Sequence, residues 1–454
     1  MLTSAARFTA ALTLVAAPLV AMSPASPASA ATPPPVKHVW TIMLENSDLA
    51  ETLGADATQG SAYLSRTLAP MGAFVPNYFG TGHSSLDNYI SMVGGQGPTP
   101  QTQGDCSDDA VIGGDYQHAR FGADGQALGT PDAIAAGTAG CVYPADVPTI
   151  ADQLTEHGKS WRTYAEDVDG SPATLRTTCQ AARWASQTNA APGAQPVAVN
   201  DYKRKHDPLV YFHSVTGLEP ASGAPSAECD ANEVGLGRLP GDLASVSSTP
   251  TWSYIVPNQC DDGHDMPCRD GRPGGVQQAD LFLQTWVPRI TGSPAFADGG
   301  LLIVTFDEGS EAFSCCNEVT SPNLPPNNDN GFAAPPSALS NGGGQVGAFL
   351  VSPYITPGTV STQSYNHNSY LRSMEDLLRL DATAAIPGSD GAGHIGYAGS
   401  QGGSTANAPV SFGPDIFTNP DGPPGTDVPE VPYAALLPIV GIALLALVLR
   451  TRRG

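Results

Sequence analysis

The sequence predicts an α/β protein, a mostly parallel sheet covered by helices. Short apolar runs alternate with stretches of helical periodicity, and several runs are so continuous that both of their faces must be buried. The downstream ends of those runs carry acids, amides and histidines, which is where a parallel sheet gathers its chemistry. Strands are read at 36–43, 160–165, 252–256, 301–306 and 346–351. Helices are read between and after them. Leu86, Tyr89, Ile90 and Val93 recur at three and four and predict a helix over 86–93. A second covers 149–157 with Gly158 as its stop, a third 278–290, and a fourth 369–380, whose apolar face is Tyr370, Leu371, Met374, Leu377 and Leu378. The Gly- and Pro-rich stretches 97–145 and 310–345 are too long for simple connections and read as lids or caps.

The ends of the chain read differently. Residues 1–30 hold Arg7, an apolar run over 8–20 and Ala28-Ser29-Ala30, the pattern of a secretory signal peptide. Residues 433–449 are uncharged and are followed by Arg450, Arg452 and Arg453, which predicts a C-terminal transmembrane anchor with a cytoplasmic basic tail over 450–454. A Gly/Pro-rich linker, 402–432, separates it from one large domain over 31–401. The expectation is an extracytoplasmic domain anchored to the cell membrane. Eight cysteines in the exported part favour disulfides, with the order suggesting Cys106–Cys141, Cys179–Cys229 and Cys260–Cys268. Adjacent Cys315 and Cys316 are awkward partners for each other. With 20 basic and 43 acidic residues the formal charge is −23, which argues against nucleic acid as a partner. A phosphorylated ligand would have to be attracted locally, by a metal ion or a cluster of donors.

The most informative stretch is Thr81-Gly82-His83-Ser84-Ser85-Leu86-Asp87-Asn88-Tyr89. It puts a hydroxyl and a histidine at a helix start, where backbone N–H groups and the helix dipole favour an anion. The alternative is a plain N-cap, with Asp87 three residues after Ser84 completing a capping box. Three strand ends then supply ligands: Glu45-Asn46, Asp307-Glu308, and the segment 257–265 with Asp262 and His264. Carboxylates and a carboxamide suit a hard divalent cation, and histidine admits zinc, iron or manganese. Glu45, Asn46, Asp307 and Glu308 would make one oxygen-rich site if their strands are neighbours. Asp262, His264 and His367, the last opening the helix at 369–380, would serve a second metal or the leaving group. His83 and His206 are candidate substrate contacts, although a lone histidine such as His206 is more often a surface residue and His83 reads equally as a brace for the serine loop.

These residues resemble a known family, the bacterial phosphoesterases of the phospholipase C and secreted acid phosphatase type, a branch of the alkaline phosphatase superfamily. The matching blocks are Lys37 through Asn46, Gly82 through Tyr89, Lys205-His206-Asp207-Pro208, Pro257 through Asp265, Thr305 through Glu308, Ser352-Pro353-Tyr354, and Tyr365-Asn366-His367 through Leu377, in family order. The resemblance implies an alkaline-phosphatase-like three-layer α/β/α sandwich and a metal-assisted serine that forms a phosphoseryl intermediate. By position it makes Ser85 the nucleophile and Asn88 a phosphate contact, and it makes Glu45, Asn46, Asp307 and Glu308 metal ligands. His206, His264 and His367 fall around the transferred phosphate. The family usually has proline where Ser84 and Asp87 stand, so a second serine competes and an acid sits beside the phosphate. Hydrolysis of phosphomonoesters, phosphoinositides among them, is the expectation. A phospholipase C-type phosphodiesterase and a non-catalytic surface protein binding phosphate ligands are the alternatives. The partners implied are a small phosphorylated substrate or phospholipid headgroup, and the membrane through the C-terminal helix.

Overall fold

A computed structural model describes residues 33–53, 62–98, 143, 145–168, 201–217, 226–310, 342–388, 390–399 and 408–422, with positions 102, 105, 120–121, 127–128, 179 and 315–316. Its sheet has eight strands: β1 His38–Leu44, β2 Ala73–Val75, β3 Trp161–Ala165, β4 Glu233–Gly235, β5 Trp252–Val256, β6 Gly300–Phe306, β7 Ala348–Val351 and β8 Thr359–Val360. The spatial order is β8-β2-β7-β6-β1-β5-β3-β4. Pairing is parallel throughout except at β7, which runs antiparallel to both β6 and β2. The predicted mostly parallel sheet is therefore present, and its centre is β6-β1-β5. All seven residues of β1 and of β6 are buried, as a strand covered on both faces requires.

Four helices match the predicted periodicities: α1 Ser85–Gly94, α2 Ile150–Glu156, α3 Gly275–Thr291 and α4 His367–Leu377. Side chains alternating along β1 and β5 meet different layers. Thr41 and Trp252 converge on the Tyr370 hydroxyl of α4, at 2.7 and 3.1 Å. Trp40 points the other way, onto Phe296 in the short helix that follows α3. Helices thus cover both faces, the three-layer arrangement. α2 opens on a full capping box, Thr149 with Asp152, and Gly158 beyond it is left-handed at φ 65°. α4 begins at His367 rather than 369, because the Asn366 side chain caps it by accepting from the Ser369 N–H at 2.9 Å.

Cys179–Cys229 and Cys260–Cys268 are bonded as expected. Cys315 and Cys316 bond to each other, against the expectation, with Cys316 in a left-handed backbone at φ 67°. The Cys106–Cys141 pairing lies outside the described residues, as do the signal segment, most of the two lid stretches and the anchor at 433–449. Among the described residues no helix is long and apolar enough to cross a membrane.

Part of the stretch expected to be linker is instead a strap on the domain. Phe412, Ile416 and Phe417 are buried, the Phe412 N–H donates to Ser373 Oγ at 2.8 Å, and Asp415 accepts from the Tyr365 hydroxyl at 2.9 Å. Average composition hid three apolar residues spaced to pack. A chain ended at residue 405 should lose about 3–5 kcal/mol of stability relative to one ended at 422, since each buried side chain contributes roughly 1.5–3 kcal/mol at most. Urea midpoints of the two chains measure this, and equal midpoints would refute it.

The same region carries a pH signature. Glu375 on α4 is fully buried and accepts from the Ile395 N–H at 2.9 Å, and burial pushes its carboxyl up to about 8. His394, which burial alone would lower, is raised by its hydrogen bond to Asp376 at 2.9 Å. Both groups hold protons more tightly folded than unfolded, so the stability they contribute is present at low pH and is lost as pH rises from about 5 toward 8. Glu375→Gln should flatten that decline by roughly 2–4 kcal/mol, read as the difference between urea midpoints at the two pH values.

Candidate active site

Because β6, β1 and β5 are neighbours and parallel, their carboxyl ends deliver Asp307, Glu45 and Asp262 side by side. Backbone bonds lock the three together: the Glu45 N–H donates to the Asp262 carbonyl at 2.9 Å and the Asp307 N–H to the Leu44 carbonyl at 3.0 Å. Asn46, left-handed at φ 48°, turns the chain so that its own N–H reaches Asp307 Oδ1 at 2.8 Å and its amide reaches Glu45 Oε2 at 2.9 Å.

Ser85 is the first residue of α1 and is buried. Its hydroxyl donates to Glu45 Oε2 at 3.0 Å and accepts from Lys205 Nζ at 3.2 Å. A proton acceptor and a positive charge therefore meet the same oxygen, at a helix N-terminus. Asp105 holds this corner from outside. Its carboxylate accepts from the Leu86 N–H at 3.1 Å and from Lys205 at 3.0 Å. Ser84 stands at the N-cap position but makes no side-chain cap bond, so the capping-box alternative fails. Asp105 does the capping instead.

Glu45 is the hub. Its Oε1 also accepts the Tyr89 hydroxyl at 2.5 Å and lies 3.3 Å from His206 Nε2, while His206 Nδ1 lies 3.1 Å from Asp262 Oδ2. The His206 ring stacks on Tyr89 at 5.2 Å, fully buried, and burial holds it well below its usual pKa. A neutral imidazole carries one N–H, so it can serve at most one of these two carboxylates. Burial followed by mutual repulsion raises the carboxyls: Glu45 is pushed well up by desolvation, then Asp307 and Asp262, and Glu308 by desolvation, then Asp307 and Asp105. Asp307 Oδ2 is buried with no hydrogen-bond partner. Several buried acids converge beside one ammonium, an oxygen-rich donor set whose ionised form a divalent cation would restore.

Other predicted site residues take different places. Asn88 is spent on the loop before it: its oxygen accepts the N–H groups of Thr81 and Gly82 at 2.7 and 3.0 Å, and its amide donates to the Gly82 and Ser84 carbonyls. It positions the serine loop instead of offering a free phosphate contact. His367 is likewise a brace, with Nε2 2.6 Å from the Asp307 carbonyl and Nδ1 3.1 Å from the Tyr78 hydroxyl, and burial lowers it to about 4. Its role is to hold the backbone that presents Asp307. The His264 ring sits at the surface on Gln259 and Asp265, and only its backbone N–H enters the cluster, on Asp262 Oδ1 at 2.8 Å. His83 lies 3.4 Å from Glu308. Asp87 neither turns outward nor pairs. It is buried against the Cα of Gly82, where any Cβ would come within 2.3 Å of its carboxyl, and desolvation, then Glu308, raise it well above the carboxylate range. That shift disfavours the charge that would repel an anion.

Lys205, Asp105 and Tyr89 complete the cluster, and none of them is a site residue in the sequence reading. Lys205 stands directly before His206, and the need for local attraction of an anion in so acidic a chain is its signal.

Against known proteins, the chain is 24% identical over 314 residues to an acid phosphatase of Aspergillus fumigatus, covering 68% of this chain and 53% of that enzyme. It is 23% identical over 354 residues to a phosphatidylinositol-3-phosphatase of Mycobacterium tuberculosis, covering 77% of this chain and 79% of that one. The chain thus spans about half the length of the fungal acid phosphatase. A solved structure from Vibrio parahaemolyticus, a protein in the alkaline phosphatase superfamily, matches at TM-score 0.39 and 15% identity, covering 79% of this chain and 71% of that one. The sequence model of the phosphoesterase family matches residues 53–381, taking in the serine loop, Lys205, Asp262, Asp307 and the whole of α4. The chain belongs to the phosphoesterase family.

Proposed function

We propose that the protein is an exported, membrane-tethered phosphatase that hydrolyses phosphomonoesters through a phosphoserine on Ser85. The observation that carries this is the Ser85 hydroxyl set between Glu45 at 3.0 Å and Lys205 at 3.2 Å at the start of α1. Similarity to acid phosphatases supports the monoester, and similarity to a phosphatidylinositol-3-phosphatase supports phosphoinositides within that class. The apolar run at 433–449 with its trailing arginines supports the tether.

Glu45, Asn46, Asp307 and Glu308, with Asp262 beside them, would hold a divalent cation. When bound, it supplies the positive charge that keeps these carboxyls ionised and offsets charge on a phosphoryl group. The chain's own residues do the rest. Ser85 gives its proton to Glu45 as its oxygen attacks phosphorus, while Lys205 steadies that oxygen. The bond from phosphorus to the alcohol breaks and the alcohol leaves with the proton that Glu45 received. Water then attacks the phosphoserine and gives a proton to Glu45, the bond from phosphorus to the Ser85 oxygen breaks, inorganic phosphate departs, and Glu45 returns that proton to Ser85. Asn88 and Asp105 hold the serine loop and Lys205 in register throughout.

Acid quenching during turnover of a chromogenic phosphomonoester should trap a phosphoryl group on the peptide carrying Ser85, detected by mass spectrometry. Turnover with no such adduct, and no burst of the released alcohol, would refute the covalent route.

A further inference from the structure

The chain leaves its domain at the pole opposite the catalytic cluster. Gly422, the last described residue, packs on the Tyr354 ring, where an added Cβ would lie 3.1 Å from it. The Tyr354 hydroxyl donates to the Pro35 carbonyl at 3.1 Å, and the Lys37 N–H donates to the Gly299 carbonyl at 2.9 Å. This corner is therefore where β1 and β6 begin, whereas Glu45 and Asp307 stand where they end. Seven residues of strand separate the two poles by about 23 Å.

The exit pole is also partly apolar. A hollow of about 430 Å³ opens there, where apolar Met71, Phe296, Val351 and Ile355 meet polar Ser352, Thr356 and Asn419, the last only three residues before Gly422. On the edge strand β8 beside it, Val360 is 59% exposed.

Ten residues, 423–432, join this corner to the apolar run at 433–449. Fully extended they reach roughly 35 Å. A domain of this size is roughly 55 Å across, so the tether keeps the exit corner within about 35 Å of the bilayer, and the surface of that pole sets the orientation.

We infer that the pole formed by 351–360 and 419–422 faces the lipid bilayer with the catalytic mouth directed away, so that the enzyme takes phosphoesters dissolved in water rather than headgroups of the membrane that carries it. This rests on the tether proposed above. The test uses the full chain in phosphatidylcholine vesicles containing phosphatidylinositol 3-phosphate and spin-labelled lipid, with a fluorophore on Thr356→Cys at the exit pole or on Ala50→Cys beyond the end of β1. Both positions are exposed. The Thr356→Cys probe should be quenched several-fold more than the Ala50→Cys probe. A water-soluble short-chain phosphatidylinositol 3-phosphate should be hydrolysed at least about tenfold faster than the same headgroup in the vesicle. Protein that floats with vesicles but shows equal or reversed quenching overturns the orientation alone, as does cross-linking of unlabelled Thr356→Cys protein to a second copy through the introduced thiol. Failure to float overturns the tether and the orientation together. The expected quenching contrast with equal hydrolysis of both lipids overturns the substrate preference.

Discussion

Ser85→Ala should lower kcat on a phosphomonoester by at least about 10³-fold, some 4 kcal/mol of transition-state stabilisation. The size follows from what meets at one atom: the Ser85 oxygen is the point at which the Glu45 carboxylate, the Lys205 ammonium and the N-terminus of α1 converge. Removing the oxygen leaves those groups in place with nothing to activate. The fold should be untouched, since the helix start is capped by Asp105 on the Leu86 N–H and by the Asn88 brace, neither of which uses the serine hydroxyl. Ser84→Ala is the control, because it removes the neighbouring hydroxyl of the same loop and leaves Ser85 in place, and it should stay within about threefold of wild type. Steady-state kinetics on both variants, with thermal unfolding to confirm equal stability, decide the matter. Near-wild-type turnover in Ser85→Ala would remove the nucleophile assignment, and a loss in Ser84→Ala instead would move it one residue.

The sheet centre and the acidic strand ends were legible because burial on both faces forces nearly unbroken apolar runs, and β1, β5 and β6 each show one. Short edge strands carry no such signature: β2 has three residues and β8 two, so their pairing is decided by tertiary contact. The antiparallel direction of β7 depends on a crossover that no local pattern records. At the site, residue type gave the chemistry but not the direction in which each side chain points. His367 and Asn88 have the right composition for substrate contacts, and only their hydrogen bonds reveal that both brace neighbouring protein groups, the Asp307 carbonyl and Tyr78 hydroxyl for one and the serine loop for the other. Tyr89 shows the converse. It fits the apolar stripe of α1, so its hydroxyl on Glu45 is invisible to periodicity.

Glu45→Gln should separate the two things this cluster asks of its central acid. Desolvation, then Asp307 and Asp262, push the Glu45 carboxyl well up, so without a cation burial disfavours its charge, and an amide of the same shape removes that charge. The metal-free variant should therefore unfold at a temperature equal to or above that of the metal-free wild type. Adding a divalent cation tells them apart. A ligand that binds only the folded state at a hundred times its dissociation constant stabilises by about 2.7 kcal/mol, and the wild type should show an increase in Tm of that origin. Glu45→Gln offers a neutral oxygen in place of an anionic one and should show much less of it. Turnover should fall by roughly 10²–10³-fold, because the amide neither accepts the Ser85 proton nor supports the cation. If the variant instead lost metal-free stability while keeping its metal-dependent increase in Tm, Glu45 would be a structural brace for Tyr89 and Asn46, and the oxygen-rich end of β1 would not be the cation site.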